Sequence, residues 1–184
     1  MKTTKAAVAL AAITATTIAL SGCAQQAADP VAQKTVMSHP SYAESYDTLG
    51  DMSASADLVV HGVVTASAPG QPIGDIVTSE YTFTVDNWIK GTPTVNDQVT
   101  VFQTGGVDDG VTYVAEGDPL MTVGEEAILY LDEGDPGVFH TVAGPTGRLE
   151  VADGQVRKLD GSSITAPVPT TVQSVEKATD AALR

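Results

Sequence analysis

The sequence predicts a mainly β domain: a small antiparallel barrel or sandwich of six to eight short strands, with a short helix before it and a C-terminal helix. Three observations carry this reading. Valine-rich and period-two segments recur through the middle of the chain. Glycine and proline turn signals separate them at short intervals. Helical spacing appears only at the two ends of the domain.

In chain order, Tyr42, Tyr46, Leu49 and Met52 recur every three or four residues, which predicts a short helix within Ser41–Ala56. ADLVVHGVVTASA, Ala56–Ala68, is short and dense in valine and reads as a buried strand. Ile76–Gly91 gives the clearest strand. Tyr81, Phe83, Val85 and Ile89 share one apolar face by strict alternation, with Thr82, Thr84, Asp86 and Trp88 on a polar one. Gln98–Gln103 and a short Val111–Ala115 follow as strands. EEAILYLD, Glu125–Asp132, and VFHTV, Val138–Val142, flank the turn EGDPG as a hairpin. Asp153-Gly154 between Arg148–Val151 and Gln155–Lys158 is a type I′ hairpin signal, because both turn positions need positive φ. Val172, Val175, Thr179, Ala182 and Leu183 then recur at near-helical spacing within Thr170–Arg184.

The amino-terminal end has a different character. Lys2 and Lys5 precede a fifteen-residue apolar run, Ala6–Leu20, diluted by threonines and ended by small residues. That is the layout of a secretory signal, and the run is too short for a spanning helix, which takes roughly 20 strongly apolar residues. Leu20-Ser21-Gly22-Cys23 resembles the lipobox of bacterial lipoproteins. The resemblance implies diacylglycerol on the Cys23 thiol, cleavage before it, and a mature chain that starts at Cys23. Two acyl chains suffice for stable anchoring where one does not. Residues 1–22 are therefore expected to be a signal peptide. The expected location is the extracytoplasmic face of the cell membrane, with the membrane a partner through the lipid.

Cys23 is the only cysteine, so no disulfide is expected and stability must come from a hydrophobic core. The chain carries 9 basic and 23 acidic residues, net −14, which becomes −16 once Lys2 and Lys5 leave. Such a charge repels nucleic acid and anionic headgroups, so nucleic acid is excluded as a partner. Residues 23–40, small, polar and aperiodic, read as a flexible tether with a reach of roughly 20–25 Å. Residues 41–184 form the expected domain.

The succession ADLVVHGVV, YTFTVDNWIKG, VTVFQ and LMTVGEEAILYL, over about residues 56–132, is similar to the netrin-like module, an OB-type barrel that includes the tissue inhibitors of metalloproteinases. It also looks like exported lipoproteins of Gram-positive bacteria. The resemblance implies an OB-like barrel. It implies no protease inhibition, because the module's cysteines are missing and Cys23 would be lipidated at the end of a tether.

No motif fixes a reaction, and no catalytic residue, cofactor or metal is assigned. His39, His61 and His140 stand far apart, although His61 and His140, both in strands, could meet across a barrel. The acids Asp108, Asp109, Glu116 and Asp118, and Asp132, Glu133 and Asp135, do not follow calcium-loop spacing and read as solvated loops. Ser174-Val175-Glu176-Lys177 matches S-x-x-K by letters, without the partner motifs that chemistry needs. Gly144-Pro145-Thr146-Gly147 reads as a turn. Trp88, the only tryptophan, is a candidate to stack a ligand from the sheet's polar face, unless the terminal helix covers it. The expectation is a non-catalytic, lipid-anchored module that binds an envelope protein or a cell-wall ligand, with Trp88, His61 and His140 as candidate contacts. A cell-envelope polymer hydrolase with a carboxylate site is the alternative, and a cation-buffering surface protein a third reading.

Overall fold

The computed structural model describes residues 34–184. The expected signal peptide, Cys23 and the first part of the expected tether lie outside the described residues.

Ten strands and two α-helices form two sheets among the described residues. The elements are β1 (Lys34–Ser38), α1 (Leu49–Ser55), β2 (Leu58–Pro69), β3 (Thr78–Lys90), β4 (Gln98–Thr104) and β5 (Gly106–Asp108). They continue with β6 (Val111–Ala115), β7 (Glu126–Glu133), β8 (Val138–Thr141), β9 (Arg148–Ala152), β10 (Gln155–Lys158) and α2 (Val172–Ala182). The mainly β reading with flanking helices holds. The final residues of the expected tether do not stay free. Lys34–Ser38 pair in parallel with Val111–Ala115, which satisfies a row of backbone groups that a loop would leave to water. The small sheet runs β1-β6-β5.

The larger sheet runs β10-β9-β7-β2-β3-β4-β8, and β7 also pairs with β8. The pairings β7–β2, β2–β3, β3–β4, β4–β8 and β8–β7 therefore follow one another in a ring. All are antiparallel except β4–β8, which is parallel.

β7 shows why its sequence is a continuous apolar run. Ala127, Leu129 and Leu131 join a cluster with Val60, Val64, Phe83 and Val101, while Ile128 and Tyr130 join a second one with Val59, Leu149 and Val175. A strand buried on both faces has no polar alternation to display. The second cluster is closed by the helices. α1 begins at Thr48, whose hydroxyl accepts from the Asp51 amide at 3.1 Å, and buries Leu49 and Met52. Its last carbonyls are met by Lys90, whose ammonium donates to Ser53 at 3.0 Å and to Ala54 at 3.1 Å. α2 starts with a reciprocal cap between Thr171 and Ser174, so the serine of the S-x-x-K match serves as a helix cap. It buries Val175 and Thr179, and the Thr179 hydroxyl lies 2.7 Å from that of Tyr130.

Strict alternation fails in β3. Opposite β2, Asn87 faces His61 but Val85 faces Gly62, so Asp86 is an extra residue and a bulge forms. Gly62 permits it, since a Cβ there would lie 2.0 Å from the Thr84 carbonyl oxygen. Past the bulge the faces exchange. Trp88 packs against the cluster of Phe83 and Val85, and Ile89 against the helix-covered one.

No helix among the described residues is long and apolar enough to cross a membrane.

Candidate ligand groove

Strand register builds a row of side chains that the linear sequence does not display. Glu80 on β3 lies opposite Phe102 on β4, Phe102 opposite His140 on β8, and His140 opposite Asp132 on β7. Residues directly opposite in a ladder project from the same face. Phe102 alternates with Val99 and Val101, which are buried within, so the row faces away from that cluster.

This row is the floor of a groove of about 760 Å³. One wall is the β2–β3 connection, with Gln71, Pro72 and Ile73, and another the β7–β8 turn, with Gly134 and Asp135. The segment Pro40–Glu44 adds Tyr42 and Glu44. Tyr42 is held by Gly144, where a Cβ would lie 2.1 Å from the phenol ring and which adopts φ +57°. Tyr42 is 39% exposed, its hydroxyl end lies against Gly144, and burial followed by the Asp118 charge pushes its pKa up to about 12. Glu44, Glu80, Asp118, Asp132 and Asp135 line the groove together with His140, and among the described residues no lysine or arginine does.

Burial raises the Asp132 carboxyl above the usual range. The Asp57 amide donates to it at 3.3 Å and His140 favours its charged form, but the Asp57 and Glu44 charges oppose that form. Asp118 is raised by burial as well, although the Arg148 charge and the Gln103 side-chain amide, 3.0 Å away, pull it down.

Asp118 also belongs to a cluster at the edge of the groove. Arg148, 1% exposed, donates to the Pro119 carbonyl at 2.8 Å. Its nitrogens lie 3.6 Å from Glu125 and 3.9 Å from both Asp118 and Glu150. Buried Glu125 Oε1 and Arg148 Nε face each other at 3.6 Å without a hydrogen bond. Burial raises Glu125 too, ahead of the lowering by Arg148. Three carboxylates share one guanidinium, and desolvation outweighs its attraction for both buried ones.

The candidate residues of the sequence separate. His140 lies in the groove, but His61 does not meet it. His61 is on the helix-covered face, 2.9 Å from Glu126 and 3.7 Å from Glu176 of α2. Trp88 is not on a polar face: the Asp86 bulge turns it to pack against the Phe83 cluster, and its indole N–H donates to Asp97 at 3.2 Å. Nor does α2 cover it, since Val172 and Val175 pack with Ile89's cluster. Of the acidic loops, Asp118, Asp132 and Asp135 enter the groove, and Glu116 pairs with exposed His39 at 2.6 Å. Among the described residues no three His, Cys, Asp or Glu side chains converge to hold a metal ion. Sequence reading missed Glu80, Phe102, Tyr42 and Arg148. The signal for Phe102 was there: an aromatic on the polar side of a strand whose valines mark the other side.

Comparison with known proteins finds no family model that matches this chain and no curated protein similar to it.

Proposed function

We propose that this protein is a lipid-anchored module on the extracytoplasmic face of the cell membrane, and that its groove binds an envelope protein or a cell-wall ligand without catalysis. The observation that carries the binding reading is the groove itself, a concave surface of about 760 Å³ that mixes aromatic and acidic side chains. The anchor rests on the lipobox-like Leu20–Cys23. The domain is read as an OB-like barrel made of β2, β3, β4, β7 and β8, supported by their ring of pairings. In such barrels the second and third strands and the loops after the first and fourth strands hold ligands. Here those parts correspond to Glu80, Phe102, Gln71–Ile73 and Gly134–Asp135, all on the groove.

The test is in-cell crosslinking of the tagged chain, with Cys23→Ser as the unanchored control. Capture of one envelope protein or wall fragment by the anchored form, lost when Phe102 and His140 are replaced by alanine, supports the reading. Equal capture by the groove variant sinks it.

One observation favours a second reading. Asp118 and Asp132 both line the groove with carboxyls raised by burial, the condition in which a carboxyl serves as a general acid. A hydrolase of envelope polymers would use that pair. Release of soluble fragments from purified wall polymer, abolished by Asp132→Asn, would replace the binding reading with this one.

A further inference from the structure

The Arg148 cluster holds two buried acids for one cation. The side chains of Asp118 and Glu125 are 9% and 14% exposed, and Glu150 is open enough for water to serve it. The guanidinium lies 3.9 Å from Asp118, beyond hydrogen-bond reach. Asp118 is also the member of the pair that lines the groove. Its Oδ1 accepts from Gln103 Nε2 at 3.0 Å. Its Oδ2 accepts no hydrogen bond from a described residue, yet it is not sealed off as Glu125 Oε1 and Arg148 Nε are, so it opens on the groove. The carboxylate is held in place. Its own amide donates to the Ala115 carbonyl at 3.1 Å, and the next carbonyl, that of Pro119, accepts from Gln103 at 3.0 Å and from Arg148 at 2.8 Å. An acceptor fixed in this way costs little to order when a ligand arrives.

A group that satisfies this site brings one positive charge and donates to one oxygen. Gln103 already occupies Oδ1, so a guanidinium fork finds one free oxygen where its geometry suits two, whereas an ammonium is a point charge that needs only one. We propose that the groove takes a lysine side chain of a partner protein, its ammonium seated on Oδ2 of Asp118 and the residues beside it resting on the apolar walls. Phe102, Val138, Pro72 and Ile73 supply those walls, and Ile73 is 57% exposed. A small free amine would leave that surface uncovered, and a chain segment would cover it. Tyr42 stands at the same end, where the Asp118 charge acts on its hydroxyl, and an ammonium near an aromatic ring gains further. The net charge of −14 draws a basic partner towards the chain. This inference rests on the reading of the groove as a binding surface and names the chemistry of its ligand.

The experiment is a titration of the full chain, kept in neutral detergent and followed by backbone amide NMR. The probes are the capped peptide Gly-Leu-Ser-Lys-Ser-Leu-Gly, the same peptide with arginine or norleucine in place of lysine, and free butylamine. In an extended chain the two leucines share the side of the central residue. The lysine peptide should shift the Gln103 and Asp118 amides. It should bind at least about fivefold more tightly than the norleucine peptide, the worth of a hydrogen bond to a charged group. It should also exceed the arginine peptide by about twofold or more and butylamine by about tenfold or more. Asp118→Asn should bring the lysine peptide down to the level of the norleucine one. Asparagine keeps the oxygen that accepts from Gln103 and leaves one guanidinium beside one buried acid. Asp153→Asn, on the β9–β10 turn outside the groove, should leave the lysine preference unchanged. Amide shifts outside the groove report that each variant folds, and the ranking on the unaltered chain is a test by itself.

Equal binding of the lysine and arginine peptides, or equal weakening by Asp153→Asn, means diffuse attraction to an acidic chain and overturns the inference. A lysine preference that survives Asp118→Asn seats the ammonium elsewhere and overturns it too. Butylamine bound as tightly as the peptide makes the site one for small amines and overturns the partner segment. Equal shifts from the norleucine peptide also overturn the inference, yet leave the groove as a binding surface. No shift from any probe overturns it as well. In that event a crosslink that still depends on Phe102 and His140 would keep the groove as a binding surface, and loss of that crosslink would remove both.

Discussion

The Arg148 cluster and the groove floor sit side by side and treat carboxylates in opposite ways. In the cluster, Asp118 and Glu125 surround a guanidinium that is 1% exposed and fixed to the Pro119 carbonyl. On the floor, Glu80 and Asp132 flank an aromatic and an imidazole, with no lysine or arginine on the groove among the described residues. Asp118 and Glu125, which the fold covers, receive a cation, and Glu80 and Asp132 on the floor do not. The cluster is therefore built for stability, and the floor is the surface to which we assign the proposed recognition. Asp118 lies beside Arg148 and also lines the groove.

The largest expected difference comes from removing the cation. Arg148→Met strands Asp118 and Glu125 without their counter-charge. Urea unfolding should show a loss of about 3–5 kcal/mol, the usual cost of breaking a buried ion pair from one side. A loss below about 1 kcal/mol would mean the guanidinium does not hold these acids. Phenylalanines give the next contrast. Phe83 is fully buried, and Phe83→Ala should cost about 3–5 kcal/mol. Phe102 lies partly open on the groove, so Phe102→Ala should cost about 1 kcal/mol in the same assay while it weakens ligand binding. Equal costs would place Phe102 in the core and not on a binding surface.

A smaller effect concerns pH. Asp118, Glu125 and Asp132 have carboxyls raised in the folded state. Between the unfolded values and these raised ones the native state binds more protons than the unfolded chain. Stability therefore increases as pH falls from neutral into that window, and decreases as pH rises through it. Self-repulsion in a chain of net −14 acts in the same direction. Melting temperatures measured from pH 7 down to pH 5 should rise, and Glu125→Gln should flatten the slope. A slope unchanged by that substitution would assign the whole effect to net charge.

Local pattern carried most of the elements. The Asp153-Gly154 turn has φ +53° and +72°, as a type I′ turn requires, and joins β9 to β10 as expected. The β7–β8 hairpin also forms as its turn residues indicated. What escaped the sequence is long-range. The parallel β4–β8 pair joins residues nearly forty positions apart, and only that pairing brings Phe102 beside His140. β1 escaped because five exposed residues have no apolar face to announce a strand. Trp88 was misplaced because alternation assumes an unbroken strand. Gly62, a glycine inside a valine run, was the one local mark of the bulge that moves it.

The comparison is tested most directly by urea unfolding of Glu80→Gln/Asp132→Asn beside the wild-type chain at neutral pH. Asparagine keeps the oxygen that accepts from the Asp57 amide, so only charge changes. If these acids serve recognition, the double variant should equal the wild type or exceed it by up to about 1 kcal/mol, since uncompensated charge is removed. A loss of more than about 1.5 kcal/mol would show that the floor acids hold the fold together, as those beside Arg148 do, and would contradict the account.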